Sequence, residues 1–128
     1  MNLGLSEDQR MMRESFARML DVHSSMARVR TAAESGGFDA ALWKELAEMG
    51  AFSLRIPEES GGLGLSLMDA AVLMEEAGRT LASGPLAETL VAARVLASLG
   101  GATHGALLDS VVAGDKVITI AFHDVAEQ

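Results

Sequence analysis

Residues Trp43 to Pro85 read WKELAEMGAFSLRIPEESGGLGLSLMDAAVLMEEAGRTLASGP, and the fold turns on this stretch. It divides into the end of one amphipathic helix, an extended segment, a loop marked by Pro57, Gly61, Gly62 and Gly64, and a second amphipathic helix. The second helix has a sharp start. In Ser66-Leu67-Met68-Asp69 the hydroxyl can accept from the N–H of Asp69 while the carboxylate reaches back to the N–H of Ser66, which satisfies two otherwise unpartnered donors. From Ser66 to Leu81, the expected core face is Met68, Ala71, Val72, Met74, Ala77 and Leu81, with Asp69, Glu75, Glu76 and Arg79 mainly in solvent.

Upstream, Asp39 is placed to cap a short helix with the apolar stripe Leu42, Trp43, Leu46, Ala47 and Met49, closed by Gly50 in the left-handed region. Ala51 to Ile56 is expected to be extended, because Pro57 pushes the residue before it out of the helical region. Nearer the N-terminus, Ser6-Glu7-Asp8-Gln9 is a second capping box with acidic residues at the positive helix end. Met12, Phe16, Met19, Leu20, His23 and Ala27 then recur at helical spacing, and Arg28 to Gly37 reads as a loop.

Downstream, Ser83-Gly84-Pro85 stops one helix and opens the next, since proline is tolerated where a helix begins. Leu86 to Leu99 carries only Glu88 and Arg94 as charges, so it is expected to be central and covered by its neighbours. Gly100-Gly101 ends it, and Thr103 can cap a last helix, Gly105 to Ala113, with Leu107, Leu108, Val111 and Val112 inward. The chain then changes character. Lys116 to Phe122 is rich in β-branched and aromatic residues and reads as a strand, which cannot satisfy its own backbone. The fold class is therefore all-α, an orthogonal or up-down bundle of about five to six helices over residues 1–115. Residues 116–128 are expected to be the first strand of a β domain that lies beyond them.

Composition bounds the function. The chain has 128 residues, 49% of them hydrophobic, and a net charge of -8, with the ten basic residues scattered. That balance argues against nucleic acid and anionic lipid, both of which require clustered Lys and Arg. No uncharged apolar run approaches the roughly eighteen residues of a membrane span, and no signal-peptide pattern follows Met1, so a cytoplasmic protein without membrane insertion is expected. The absence of cysteine excludes disulfides and thiolate chemistry.

Motifs that could carry chemistry mostly have simpler readings. Gly62-Leu63-Gly64 suggests a dinucleotide fingerprint, but Leu67 stands where the third glycine is required, so a structural loop is expected. Glu75 and Glu76 are adjacent and point about 100° apart on a helix, which suits a solvated face rather than a catalytic pair. His23, His104 and His123 lack metal-ligand spacing, so no metal site is expected. The eight methionines suit core gaps.

Taken together, LSEDQRMMRESFARML at the start, W-x-x-L-A-E-M-G and I-P-E-E-x-G-G-L-G followed by the long helix with EE-x-G, the helix after Gly84-Pro85, and LLDSVVAGDKVITIAF at the end closely resemble the N-terminal helical domain of the acyl-CoA dehydrogenases. The resemblance implies a three-domain FAD flavoprotein of fatty acid metabolism that introduces an α,β double bond into an acyl-CoA thioester. A carboxylate removes the α-proton, the β-hydrogen leaves as hydride to flavin N5, and an electron-transfer flavoprotein reoxidises the flavin. The family's base lies in its C-terminal domain, so no catalytic residue is assigned within these 128 residues, which alone are expected to be inactive and not to hold FAD. The implied role is one wall of the acyl cavity, with Ser83, Ala87, Leu90, Val91 and Arg94 as substrate-side candidates, together with surface for the remaining dehydrogenase domains in a homo- or hetero-oligomer.

Where the family carries Thr-Glu-Pro against the flavin, this chain has Phe122-His123-Asp124-Val125, which makes Phe122 and His123 the cofactor-side candidates. That departure also suits the cofactor-poor subunit of a heteromeric dehydrogenase. A noncatalytic helical binding or assembly module stands as the alternative, and the strand at Val117 to Phe122 favours the dehydrogenase because a free-standing module has no use for an unpaired edge.

Overall fold

The computed structural model describes residues 4–121. In chain order it has α1 (Glu7–His23), α2 (Met26–Glu34), α3 (Ala40–Glu48), single 3-10 turns at Ala51–Ser53 and Glu58–Ser60, α4 (Leu67–Arg79), α5 (Leu86–Leu99) and α6 (Gly101–Val112). Among the described residues there is no β-strand. The fold is all-α, as the sequence implied.

Helix α1 begins at the Ser6 box, where Gln9 N–H donates to the Ser6 hydroxyl at 3.1 Å and the Ser6 N–H donates to the Gln9 side chain at 3.0 Å. It stops earlier than its apolar spacing predicts. Ser24 is buried and its hydroxyl donates to the Thr80 carbonyl at 3.1 Å, tying the end of α1 to the end of α4. Ser25 then caps α2, which occupies most of the stretch expected to be loop. Only Ala32 of α2 is buried, so this helix carries almost no periodic apolar signal.

Helix α3 is capped by Asp39, which accepts from Leu42 N–H at 3.0 Å, and ends at Gly50 with φ 78°. The segment after it is not extended. The left-handed turn at Gly50 feeds a 3-10 turn in which Ala51, Phe52, Ser53 and then Leu54 and Ile56 are all buried. The glycine loop folds back over this turn through Leu63 N–H to Ser53 O, Leu65 N–H to Leu54 O and Gly64 N–H to Ile56 O.

Helix α4 starts at the expected Ser66–Asp69 box, but its buried face is rotated from the expected one. Ala70, Val72, Leu73, Glu76 and Ala77 are buried; Ala71 is exposed, Met68 is 50% exposed, and Leu81, beyond the helix, is 58% exposed. Glu76, expected in solvent, is instead covered, and its carboxylate accepts from Arg79 Nε at 2.6 Å, while Arg79 Nη2 donates to Asp21 on α1 at 2.9 Å. Pairing lets a carboxylate lie at the α1–α4 contact that an unpaired charge could not occupy.

The main core joins Phe16 and Leu20 of α1, Leu42, Trp43 and Leu46 of α3, Phe52 and Leu54 of the turn, Leu73 of α4, and Leu86 and Leu90 of α5. Trp43 stacks on Phe52 with ring centroids 4.5 Å apart. A second cluster, Ile56, Ala93, Leu108 and Val111, seats α6 on α5. Helix α6 starts at Gly101, four residues before the expected Gly105, after Gly100 turns at φ 63°. Residues 116–121 form no ladder, although Ile118 is fastened to α5 because Thr89 Oγ1 donates to its carbonyl at 2.8 Å.

Candidate functional site

Helix α5 departs from its expected burial on one side. Leu86, Thr89, Leu90, Ala92 and Ala93 are buried, whereas Val91 is 52% and Val95 45% exposed. The uncovered side faces a groove of about 620 Å³ whose other walls are α4 and the turn at Arg55 and Pro57. Two features produce it. Gly84, at φ +146°, lets the α4–α5 connection press against Trp43, where an added Cβ would lie 2.9 Å from Cζ3, and so fixes how α5 leaves the turn. The short side chains of Ala70 and Ala71 on α4 and Ala87 on α5 then leave the space between the two helices unfilled.

Along α5 the groove is lined in successive turns by Ala87, by Leu90 and Val91, by Arg94 and Val95, and by Ser98; Leu67 and Met74 complete the α4 side. At 1.5 Å per residue this face runs roughly 16 Å. Among the described residues, the only ionised ones that line it are Arg55 and Arg94. Arg94 Nη1 donates to the Arg55 carbonyl at 2.6 Å, which fixes the guanidinium at the groove and leaves its other donors available. An apolar trough with few polar groups at one end is the usual chemistry of a small-molecule site.

Of the substrate-side candidates, Ala87, Leu90, Val91 and Arg94 line this groove together, and Ser83 lies in the α4–α5 connection outside it. The family resemblance named these four by their position on α5, and their spacing at i, i+3, i+4 and i+7 puts them on one helix face. The resemblance missed Leu67, Ala70, Ala71, Met74, Arg55 and Pro57, whose place in the groove depends on packing between elements distant in sequence. Phe122 and His123 lie outside the described residues.

Other candidates carry less. A second cavity of about 400 Å³ lies beside α2, but its charged residues, Arg28 and Asp39, are bound to each other, with Arg28 Nη2 donating to Asp39 at 2.8 Å. Burial pushes the Asp39 carboxyl up, yet hydrogen bonds from Leu42 N–H and the Arg28 guanidinium outweigh it and hold the group below its ordinary value. The glycine loop is no phosphate cradle: the N–H groups of Gly61, Gly62, Leu63, Gly64 and Leu65 already donate to the carbonyls of Glu58, Pro57, Ser53, Ile56 and Leu54, and Glu58 and Glu59 add negative charge to the loop. His23 faces Glu45 at 3.7 Å and His104 Nδ1 lies 2.7 Å from the Gly100 carbonyl. Among the described residues no cluster of metal-ligating side chains occurs, and no helix is long and apolar enough to cross a membrane.

Residues 6–112 match the family model described as acyl-CoA dehydrogenase, N-terminal domain. The chain is 40% identical over 121 residues to acyl-CoA dehydrogenase IpdE2 of Mycolicibacterium smegmatis, covering 93% of this chain and 38% of that protein. It is 33% identical over 105 residues to benzylmalonyl-CoA dehydrogenase of Aromatoleum aromaticum, covering 80% of this chain and 28% of that protein. A solved structure, a variant of the Tcur3481-Tcur3483 steroid ACAD, superposes with a TM-score of 0.81 at 36% identity over 94% of this chain and 34% of its own. The chain thus spans less than two fifths of the length of each of these three proteins.

Proposed function

Because the chain belongs to the acyl-CoA dehydrogenase family, through its N-terminal domain, we propose that its α4–α5 groove is one wall of the acyl-binding cavity of an acyl-CoA dehydrogenase. The observation that carries this reading is the uncovered apolar face of α5, whose shape and chemistry suit an acyl group. This chain's residues would bind and orient that group and exclude water from it. Ala87, Leu90 and Val91 supply apolar contact along its length, and Arg94 with Arg55 closes the polar end.

FAD is the cofactor of this reading and would supply the hydride acceptor. The donor set of the groove, two guanidiniums and the Ser98 hydroxyl among apolar walls, does not fit a flavin dinucleotide, so the flavin contacts fall to other parts of the enzyme. The acyl-CoA substrate, the remaining domains, an oligomeric assembly and an electron-transfer flavoprotein belong to the same proposal. A heteromer is favoured within it: the steroid ACAD is named by two designations, and Phe122-His123 stand where the family's flavin-contacting motif is expected.

Filling the groove tests the reading. Ala87→Trp in the enzyme assembled with its remaining domains should raise KM for a long acyl-CoA by about tenfold or more, as a steric block to a well-packed pocket does, while a short acyl-CoA and the flavin content stay unchanged. Equal kinetics for the long substrate in the variant and the unaltered enzyme would place the acyl group elsewhere.

A further inference from the structure

We propose that the acyl group taken by this groove carries a carboxylate at the end remote from the thioester, held by Arg94 and Arg55. The inference rests on the acyl-wall reading and adds the substrate class to it. In a chain of net charge -8, the two ionised residues that line the groove among the described residues are both arginines, and no described carboxylate lines it. Arg94 is pinned through one nitrogen to the Arg55 carbonyl, so its remaining donors are held at a fixed place on the wall. Among the described residues the Arg55 side chain makes no hydrogen bond or ion pair. Ser98, one turn after Arg94 on the same face, adds a hydroxyl, which in this structure donates to the Val95 carbonyl at 2.7 Å and still offers its lone pairs and a rotatable O–H.

A planar fork presented beside apolar walls matches a carboxylate with two oxygens better than any neutral group. A neutral acyl chain seated here would gain nothing from these cations and would strip water from part of them. The phosphates of coenzyme A are the other anionic source. With an acyl chain filling a groove roughly 16 Å long, the diphosphate stands a whole pantetheine arm beyond the thioester, outside the wall these arginines line.

The test titrates the 128-residue chain, at a concentration and salt level where sedimentation shows a monomer and with the Ala, Leu and Val methyls labelled, with octanoyl-pantetheine, with its ω-carboxy counterpart suberyl-pantetheine, and with coenzyme A. Suberyl-pantetheine should bind about tenfold tighter than octanoyl-pantetheine, the ratio a charge-assisted contact gives, with shifts at Ala87, Leu90 and Val91. Arg55→Gln, which removes no hydrogen bond of the fold, should cut that ratio several-fold, and Arg94→Gln should abolish it with the methyl spectrum otherwise intact. Equal binding of the two thioesters would overturn the carboxylate and leave the acyl wall standing. An Arg55-dependent response to coenzyme A without a preference for suberyl-pantetheine would assign the cations to phosphate and overturn the proposal. Absence of groove shifts with either thioester would overturn the acyl-wall reading itself.

Discussion

Gly62 sits under Ile56 so closely that an added Cβ would lie 2.1 Å from the Ile56 carbonyl oxygen and 2.3 Å from its Cβ. The conflict is with backbone, which cannot rotate away, and the backbone concerned leads into the Arg55–Pro57 edge of the groove. Gly62→Ala should therefore cost at least about 2 kcal/mol, the range for overpacking a close contact, and lower Tm by several degrees. Gly78 is the contrasting case: it lies inside α4 at ordinary helical φ with nothing within 4 Å of an added Cβ, so Gly78→Ala should stabilise by about 0.4–1 kcal/mol. Thermal melts of the two variants check both signs, and a neutral Gly62→Ala would mean the loop does not close on Ile56 as described. The sequence marked Gly62 as part of a loop, but the reason for a glycine there was hidden, because it depends on a return contact with Ile56. Glu76 was misread for a similar reason. Its charge argued for solvent, and its burial depends on Arg79, one turn on, which also reaches Asp21 on another helix.

At the scale of elements, helix starts were legible where a capping side chain or a proline stood at a clear break in the apolar spacing, as Pro85 does before α5, and not at Ser25, which caps α2 inside an apolar run that continues to Ala27. Ser6, Asp39 and Ser66 each cap the helix expected of them, while α6, which begins at Gly101 without a side-chain cap, was placed four residues late. Two of these caps should set the acid limit of the fold. Burial raises the Asp69 carboxyl, but the Ser66 hydroxyl and N–H and the Gln9 side chain more than offset that, so its pKa lies below the ordinary value, as does that of Asp39. A carboxylate with a depressed folded-state pKa contributes stability that is fully present above its unfolded value, near 3.8, and is lost as pH falls through the lower folded value. Stability should thus hold through neutral pH and decline below about pH 4. Asp39→Asn, which keeps the shape and weakens the Arg28 pair, should cost about 1–2 kcal/mol at pH 7 and flatten the acid limb. Denaturant melts from pH 3 to pH 7 measure both, and an unchanged acid limb would remove Asp39 from the account.

For the molecule as a whole, the face that was expected to be covered is the one that is open. Composition made α5 central and covered on all sides, and the second core cluster does seat α6 against it, yet Leu67, Val91 and Val95 line a groove that nothing among the described residues covers. The missing cover could not be read from helical periodicity, which reports how apolar a face is and not which element lies against it. Leu67 is 71% exposed, and an apolar face of this kind in water favours association. Two copies of a chain carrying -8 repel each other, so the apolar attraction competes with a like-charge term that salt screens over about 10 Å at 0.1 M. Sedimentation of the 128-residue chain should then show self-association that strengthens with concentration and with added salt. Val91→Glu should weaken it by placing a charge in the groove without disturbing the buried face of α5. Association that salt instead weakens would point to ionic contacts between copies, and a monomer at every concentration and salt level would mean that the groove, apolar as it is, stays open in water by itself.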